Sequence, residues 1–176
     1  MTVRVAPLTG ADLRAALPDL AALRIAVFAA WPYLYAGSED YEREYLAEFT
    51  AAPDAVLVAA FDGGRIVGAA TASPLAAQDD YIRAPFAGSG IDPAGVFYFG
   101  ESVLLPQYRG QGIGHAFFDH REAAARDWGA SHAGFCAVMR GDDHPDRPAD
   151  YVPLDAFWAR RGYAPVPGMV GTFHWQ

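Results

Sequence analysis

Residues 108–114 of this 176-residue chain read Tyr-Arg-Gly-Gln-Gly-Ile-Gly. They join a strand-like stretch, residues 96–105, to Ile113–Trp128, in which apolar side chains recur at helical spacing. Glycines let the backbone turn tightly and come close to a ligand. The first N–H groups of a helix lack partners within the helix and lie at its positive end. The stretch therefore predicts a turn that binds an anion, and its form is typical of a phosphate site.

Two well-known phosphate loops do not fit this stretch. A Walker loop requires a lysine, and this chain has none, so all 13 of its Lys and Arg residues are arginine. A dinucleotide-binding turn requires Gly-x-Gly-x-x-Gly. Here the glycines are Gly110, Gly112 and Gly114, and His115 stands where the third glycine should be. Neither a P-loop site nor a Rossmann site is predicted.

The pattern that does fit is Arg109-x-x-Gly112-x-Gly114. Here the chain resembles the GCN5-related N-acetyltransferase (GNAT) family, whose loop for the pyrophosphate of acetyl-CoA reads Arg/Gln-x-x-Gly-x-Gly/Ala. The residues before the loop, Glu-Ser-Val-Leu-Leu-Pro-Gln-Tyr at 101–108, match that family's strand and its Pro-x-Tyr lead-in. The resemblance implies that acetyl-CoA is the co-substrate.

A second local resemblance lies at residues 158–163, which read Trp-Ala-Arg-Arg-Gly-Tyr. The family has a segment that ends in Tyr-x-x-x-Gly-Phe/Tyr, so Gly162 and Tyr163 match and Trp158 departs. In many relatives the tyrosine protonates the departing thiolate, and an indole N–H is far too weak an acid to do so. Tyr163, Tyr151 or water remain as proton donors, and Trp158 is expected to contribute packing beside the cofactor.

Composition limits the classes of protein to which the chain can belong. A length of 176 residues with 52% hydrophobic content suits one domain, 1–176, with a sizeable core. A net charge of −8 argues against nucleic acid as a partner and mildly favours a cationic substrate, although plain solubility explains the charge better. No apolar run is long enough to span a membrane, and no targeting segment is recognised, so a cytoplasmic location is expected. The single cysteine, Cys136, excludes an internal disulfide and is expected to be a small buried hydrophobe.

The order of apolar patterns predicts an α/β fold. Strands are expected at 2–6, 55–61, 65–73, 95–105 and 133–139, with a closing hairpin at 163–166 and 169–175. Helices are expected at 13–27, as two short helices or one helix kinked at Pro18, then after Ser38, at 113–128 and at 154–161. This order matches the GNAT family from end to end. The resemblance implies a single-domain acyl-CoA N-acyltransferase fold, a mixed central sheet flanked by helices.

The resemblance also implies where acetyl-CoA binds. Pantetheine is expected along the end of the long strand, where one freed backbone N–H can hold the oxyanion of the reaction. The pyrophosphate is expected on the N–H groups of the glycine-rich turn, with the Arg109 side chain neutralising charge. The cofactor-binding residues predicted in this way are Val103, Leu104, Leu105, Arg109, Gly110, Gln111, Gly112, Ile113, Gly114, His115 and Trp158.

Glu101 is the predicted general base. It lies in an otherwise apolar strand, eight residues before Arg109, where related enzymes often place an acidic residue that faces the substrate. A role as anchor for a cationic substrate, or a structural role, is the alternative. Tyr163 is predicted to be the second catalytic residue.

The acceptor side is predicted from aromatic residues in loops. Tyr33 and Tyr35, together with Tyr81 and His144, lie where the family builds its acceptor pocket, and such side chains suit a molecule that carries amines. His144 has acidic neighbours without the spacing of a zinc site, so no metal is expected.

The prediction for the whole chain is an N-acetyltransferase. It would move an acetyl group from acetyl-CoA to a primary amine of a small molecule, a peptide or a protein terminus by direct attack in a ternary complex. The alternatives are a non-catalytic module that binds CoA or a partner, and an acyltransferase that uses another acyl-CoA. A homodimer is compatible with all of these.

Overall fold

The computed structural model of the chain describes residues 2–174. Its centre is a five-stranded sheet whose strands lie in chain order. The strands are β1 (Arg4–Leu8), β2 (Val56–Asp62), β3 (Arg65–Pro74), β4 (Val96–Leu104) and β5 (His132–Gly134). The pairs β1–β2, β2–β3 and β3–β4 are antiparallel, and β5 runs parallel to β4. The sheet is therefore mixed, as predicted.

Helices cover both faces of this sheet. They are α1 (Gly10–Phe28), α2 (Glu39–Ala51), α3 (Asp80–Arg83), α4 (Ile113–Trp128) and α5 (Asp155–Arg160). Ser38 caps α2, because its hydroxyl accepts the N–H of Tyr41 at 3.3 Å. Gly129 ends α4 in the left-handed conformation, with φ of 88°. Ser38 thus fixes the start of α2, and Gly129 fixes the end of α4.

The side chains of each strand alternate between the two faces of the sheet, so the core has two sides. Leu57 and Ala69 pack with the apolar faces of α1 and α2. The next residues of the same strands, Val58 and Ala70, pack with the first turns of α4. Successive strand residues point to opposite faces of a sheet, so each central strand carries apolar side chains at nearly every position. This explains the long apolar runs in the sequence.

A bulge in β4 changes which face each of its residues presents. Ala70 pairs with Ser102 and Ala72 pairs with Phe99, so two steps along β3 oppose three along β4. The extra residue reverses the alternation. Phe99, before the bulge, packs with the α4 side of the core, whereas Val103, after it, packs with the α1 and α2 side. Glu101 lies in the bulged segment and turns toward α1 and α2.

The β4 and β5 strands are hydrogen-bonded over a short length only. Residues 96–98 pair with 132–134, and no described strand pairs with residues 99–104 on that side. We call the main chain of 99–104 on this side the open edge of β4. The predicted strand 133–139 is therefore too long, because the chain leaves the sheet after Gly134 and buries the Phe135 ring against Phe118 instead.

Of the two forms expected for the first helix, the structure has the single one: Pro18 lies inside α1, and buried residues on both sides of the proline keep the helix packed on the sheet. Two other expectations were wrong. The closing hairpin is absent from residues 163–174, since Pro165 and Pro167 lack the N–H groups of a ladder, and position 175 lies outside the described residues. Cys136 is exposed, because it follows the point at which the chain leaves β5.

Candidate active site at the open edge of β4

The open edge of β4 presents main-chain groups that the sheet does not use. Leu105 donates its N–H to the Val67 carbonyl at 3.0 Å, and Glu101 donates its N–H to the Thr71 hydroxyl at 3.2 Å, so both point toward β3. Successive residues of a strand direct their N–H groups to opposite edges. The N–H groups of Ser102 and Leu104 therefore point away from β3, along the open edge. Of the three residues predicted to contact pantetheine there, Leu104 is the one whose N–H faces this edge.

The glycine-rich turn after β4 has the geometry of an anion cradle. Gly110 and Gly112 have φ of 75° and 81°, the left-handed region that glycine adopts without steric cost. A Cβ at either position would meet nothing within 4 Å, so their outer sides are open. The first hydrogen bond within α4 runs from the Ala116 N–H to the Gly112 carbonyl, at 3.2 Å. The N–H groups of residues 113–115 come before it in the chain and have no acceptor within the helix. The first N–H groups of α4 are therefore available to an anion.

Contacts on both sides hold the turn in place. The Tyr108 hydroxyl donates to the Asp62 carboxylate at 2.6 Å and ties the turn to the β2–β3 hairpin. Ile113 is buried against the sheet and fixes the start of α4. Arg109 donates to the Leu104 carbonyl at 3.3 Å, so its guanidinium lies beside the open edge. The side chain of Gln111 donates to the Gln107 carbonyl at 3.4 Å. These contacts hold the glycine-rich turn and the Arg109 side chain beside the end of β4.

Arg161, just after α5, connects the C-terminal part of the chain to α4. Its guanidinium donates to Nδ1 of His115 at 3.0 Å, to Asp119 at 2.7 Å and to Glu122 at 3.1 Å. Because a guanidinium only donates, Nδ1 of His115 accepts, and the proton of the neutral ring lies on Nε2. A second cation therefore lies one helical turn from the glycine-rich turn.

Glu101 is held in a buried cluster of charges. Arg24 of α1 forms ion pairs with Glu42 of α2 and with Glu101 of β4. The side chains of Arg24, Glu42 and Glu101 are 8%, 0% and 11% exposed. We call these three residues the charge triad. Sequence reasoning found Glu101 but missed Arg24 and Glu42, because neither the spacing of α1 nor that of α2 indicates a charged residue in the core.

Each carboxylate of the charge triad also accepts a tyrosine hydroxyl. Tyr35 donates to Glu42 at 2.9 Å, and Tyr45 donates to Glu101 at 3.2 Å. Burial, and then the hydrogen bond to Glu42, raise the pKa of Tyr35 well above its ordinary value of 10. Burial also raises the pKa of Tyr45, which Arg24 partly opposes. Both hydroxyls therefore keep their protons and act as donors at neutral pH.

An acidic pocket of about 330 Å³ lies on the other side of Tyr45. Residues from α2, from the segment around α3 and from the C-terminal segment line it: Tyr41, Glu44, Tyr45, Glu48, Asp79, Tyr81, Thr172 and His174. Three of these side chains are carboxylates and three are phenols. Burial, followed by the charge of Asp79, raises the pKa of Tyr81 to about 12. The pocket therefore combines negative charge with aromatic surface, and Tyr45 connects it to Glu101.

The predicted acceptor residues are only partly brought together. Tyr81 lines the acidic pocket, whereas Tyr35 bonds to Glu42 and Tyr33 packs on Phe28 with ring centroids 4.5 Å apart. His144 packs on Trp31, 5.0 Å away. Sequence reasoning missed Glu44 and Glu48, although residues 41, 44, 45 and 48 have the spacing of one helix face.

Tyr163 and Trp158 lie in an aromatic cluster beside α4. The Tyr163 hydroxyl donates to Glu122 at 2.9 Å, and its ring lies 5.1 Å from that of Phe135. Burial, and then this hydrogen bond, raise the pKa of Tyr163 well above 10. Trp158 packs on Phe135 with centroids 5.1 Å apart. Their roles in catalysis and in cofactor binding stay predictions.

Within 2–174, no group of three or more His, Cys, Asp or Glu side chains is arranged to hold a metal ion. No helix in that range has the length and apolar character needed to cross a membrane.

Several solved structures with a similar fold are aminoglycoside acetyltransferases. Over 100% of this chain and 99% of the other, the fold matches AAC(6')-Iy bound to the bisubstrate analogue CoA-S-monomethyl-acetylneamine, with a TM-score of 0.68 and 14% identity. The aminoglycoside 6'-N-acetyltransferase AAC(6')-Ih from Acinetobacter baumannii matches over 99% of both chains, with a TM-score of 0.66 and 16% identity. AAC(6')-IG from Acinetobacter haemolyticus matches over 98% of both, with a TM-score of 0.65 and 17% identity.

At these identities the structures show a common fold. No match was found among curated protein sequences. The sequence profile of the acetyltransferase (GNAT) family matches residues 23–148, a range that contains the charge triad, the open edge of β4 and the glycine-rich turn. The chain therefore belongs to the acetyltransferase (GNAT) family.

Proposed function

We propose that this protein transfers the acetyl group of acetyl-CoA to a primary amine of a small molecule that carries several positive charges. The observation that carries the proposal is the acidic pocket, whose Tyr45 joins it to Glu101 at 3.2 Å. Glu44, Glu48 and Asp79 give the pocket three negative charges, which favours a cationic acceptor over a neutral one. The similar structures with aminoglycosides as substrates support an acceptor of this kind.

The cofactor side rests on a fit between the turn and a pyrophosphate. The outer sides of Gly110 and Gly112 are open, and the first N–H groups of α4 are available. Pantetheine would continue along the open edge of β4, where the N–H groups of Ser102 and Leu104 have no partner strand in the described chain. We assign the oxyanion contact to one of these two groups.

The proposed chemistry forms an N–C bond and breaks the C–S bond of the thioester. The acceptor ammonium must first lose a proton, and Glu101, directly or through water, receives it. The neutral nitrogen then attacks the acetyl carbon in a ternary complex. As the C–S bond breaks, the nitrogen loses a second proton and the CoA thiolate takes one up, so the net release is the one proton that Glu101 receives. A thiol with a pKa of about 8.5 leaves as a tolerable anion near neutral pH, so a protein acid is helpful rather than essential.

Tyr163 stays the proposed acid, but its contacts set conditions on that role. Its proton is held by Glu122, and its raised pKa makes it a weaker acid than an ordinary phenol. It would therefore act only if CoA binding broke the contact with Glu122. Protonation of the thiolate by water is the alternative.

The test combines binding and turnover. Calorimetry should show that CoA and acetyl-CoA bind the parent protein. Release of the free thiol should then be measured with spermidine, an aminoglycoside such as neamine, a simple monoamine and a peptide with a free N-terminus. We expect kcat/KM to increase with the number of ammonium groups and to fall as ionic strength rises. CoA binding without thiol release for any amine would instead favour a non-catalytic module, and a preference for longer acyl-CoAs would change the donor.

A further inference from the structure

The charge triad carries one more negative charge than it can balance. Arg24 supplies one positive charge, whereas Glu42 and Glu101 supply two negative ones. The three side chains are nearly excluded from solvent, so water screens these charges poorly. A proton that arrives at Glu101 makes the cluster neutral and leaves Arg24 paired with Glu42. The cluster is thus arranged to accept one proton, the number that acetylation of one ammonium releases.

From this arrangement we infer that Glu42 is a positioning residue for the reaction, which acts by competing with Glu101 for the charge of Arg24. A carboxylate paired alone with a guanidinium is strongly held in its ionised form and is a poor base. Glu42 takes part of that stabilisation away, because its like charge opposes the ionised form of Glu101. Glu101 therefore stays ionised when the amine arrives but still takes up its proton. The inference rests on the role that we proposed for Glu101.

The surroundings of the two carboxylates agree with a positioning role for Glu42 and a proton-accepting role for Glu101. Glu42 has the more enclosed position, 0% exposed, and its second oxygen accepts the Tyr35 hydroxyl. Glu101 is 11% exposed, and its second oxygen accepts the hydroxyl of Tyr45, which lines the acidic pocket. Glu101 is thus the member of the pair closer to the substrate side.

The other groups near Glu101, charged and uncharged, act on its carboxylate less directly. From β3, Thr71 accepts its N–H through an uncharged hydroxyl. The Thr71 carbonyl accepts Arg121, a cation that α4 places beneath the sheet. Asp79 acts on Tyr45 through its charge. None of these groups bonds to both carboxylates, so Arg24 is the cation that the two share.

The test is the pH dependence of kcat/KM in two variants with opposite expected shifts. In Glu42→Gln, Glu101 is the only carboxylate paired with Arg24. The midpoint of the acidic limb of the pH profile should therefore move down by about one pH unit. Tyr45→Phe removes a donor from Glu101, so the midpoint should move up. General damage to the structure does not move the two midpoints in opposite directions. Glu39→Gln, the same substitution at an exposed site on α2, is the matched control and should leave the midpoint where it is in the parent.

A second measurement does not depend on turnover. The side-chain carboxyl carbon of Glu101 should be followed by NMR during an acid titration, with its signal assigned from its loss in Glu101→Gln. In Glu42→Gln this carbon should titrate at lower pH than in the parent. If it titrates at the same pH, the inference is overturned. If it shifts while the pH dependence of the rate does not, Glu42 does compete for Arg24, but the proposed role of Glu101 in the reaction fails and the positioning role of Glu42 fails with it.

Titration of the parent protein covers the case in which Glu42→Gln does not fold. Because the two carboxylates share one guanidinium, the Glu101 carbon of the parent should follow a titration curve with more than one step. A curve with a single step would overturn the inference.

Discussion

The main-chain N–H of Glu101 donates to the side-chain hydroxyl of Thr71, 3.2 Å away, across the bulge between β3 and β4. A side chain thereby replaces the backbone acceptor that the bulge removes from the ladder. The Thr71 carbonyl in turn accepts Arg121 at 3.4 Å, and the Thr71 side chain leaves no room for a Cβ at Gly100, which would lie 2.4 Å from its hydroxyl oxygen. Thr71 therefore fixes the backbone that directs Glu101 toward the charge triad.

Thr71→Val tests this relationship, because valine keeps the shape but lacks the hydroxyl. The Glu101 N–H would lose its acceptor, so we expect the free energy of unfolding to fall by about 1–3 kcal/mol. Because Glu101 would be less well oriented, turnover should fall more than CoA affinity. Chemical denaturation and steady-state kinetics measure the two effects. Unchanged turnover in a destabilised variant would show that the bond serves only stability.

Glu101→Gln tests the proposed general base. General base catalysis contributes about 10²–10⁴-fold, and turnover at neutral pH should fall by that factor while the Kd for CoA stays nearly unchanged. The loss should shrink as pH rises, because more of the acceptor then arrives as the neutral amine. A variant that keeps its kcat but shows a raised KM for the amine would instead make Glu101 an anchor for the cation.

Gly112→Val tests the anion cradle. The residue has φ of 81°, which a β-branched side chain adopts only with strain, so the turn should shift and CoA binding should be lost. Gly88→Val is a matched control, because Gly88 also has a positive φ, 74°, and open space around its Cβ position. Calorimetry with CoA should detect binding to the control and none to Gly112→Val. If the folded Gly112→Val protein binds CoA as tightly as the parent, the cradle is elsewhere.

The acidic pocket is tested by Glu44→Gln and Glu48→Gln, alone and together. Exposed charge pairs contribute about 0.2–1 kcal/mol each, which corresponds to a rise in KM of about 1.5- to 5-fold per substitution. The effect should be largest for acceptors with several ammonium groups and should shrink at high ionic strength. Glu39→Gln removes one charge from the same helix outside the pocket. An equal rise in KM for that variant would show that only the overall charge of the protein matters.

Alkaline titration tests the environment of the buried tyrosines. Burial raises the pKa of Tyr45, Tyr98 and Tyr163 in the folded chain above the ordinary value of 10. A folded-state pKa above the unfolded value gives stability that is fully present below pH 10 and is lost as pH rises through the folded pKa. The melting temperature should therefore fall progressively above pH 10. Tyrosinate absorbance should increase together with the loss of circular dichroism; full ionisation before unfolding would contradict the burial.

Much of the fold was predictable because it depends on local patterns. The β2–β3 hairpin around Asp62, α4 and its capping turn at Gly112 all carry their signals in consecutive residues. The end of β5 was not predictable, since residues 135–139 have the composition of a strand, but the Phe135 ring packs in the aromatic cluster and the chain leaves the sheet. Tertiary packing therefore outweighed the local preference of this segment for a strand.

The site was predictable only where a motif marks it. The glycine-rich turn is visible in the sequence, and Glu101 stands out as an acid in an apolar strand. Arg24 and Glu42 look like ordinary helix residues, because α1 and α2 bring them together only when both pack on the sheet. The acidic pocket likewise joins α2 to residues near both Asp79 and His174, which no local spacing connects.

The acidic pocket and the glycine-rich turn have no structural element in common. The pocket is built from α2, the segment at 79–81 and the C-terminal residues 172 and 174, whereas the turn belongs to the chain between β4 and α4. Side chains of one can therefore be replaced without remodelling the other. This separation makes the chain a practical scaffold for directed evolution of acceptor choice, in which libraries confined to the pocket leave the donor half intact and every variant can be screened with the same thiol-release assay.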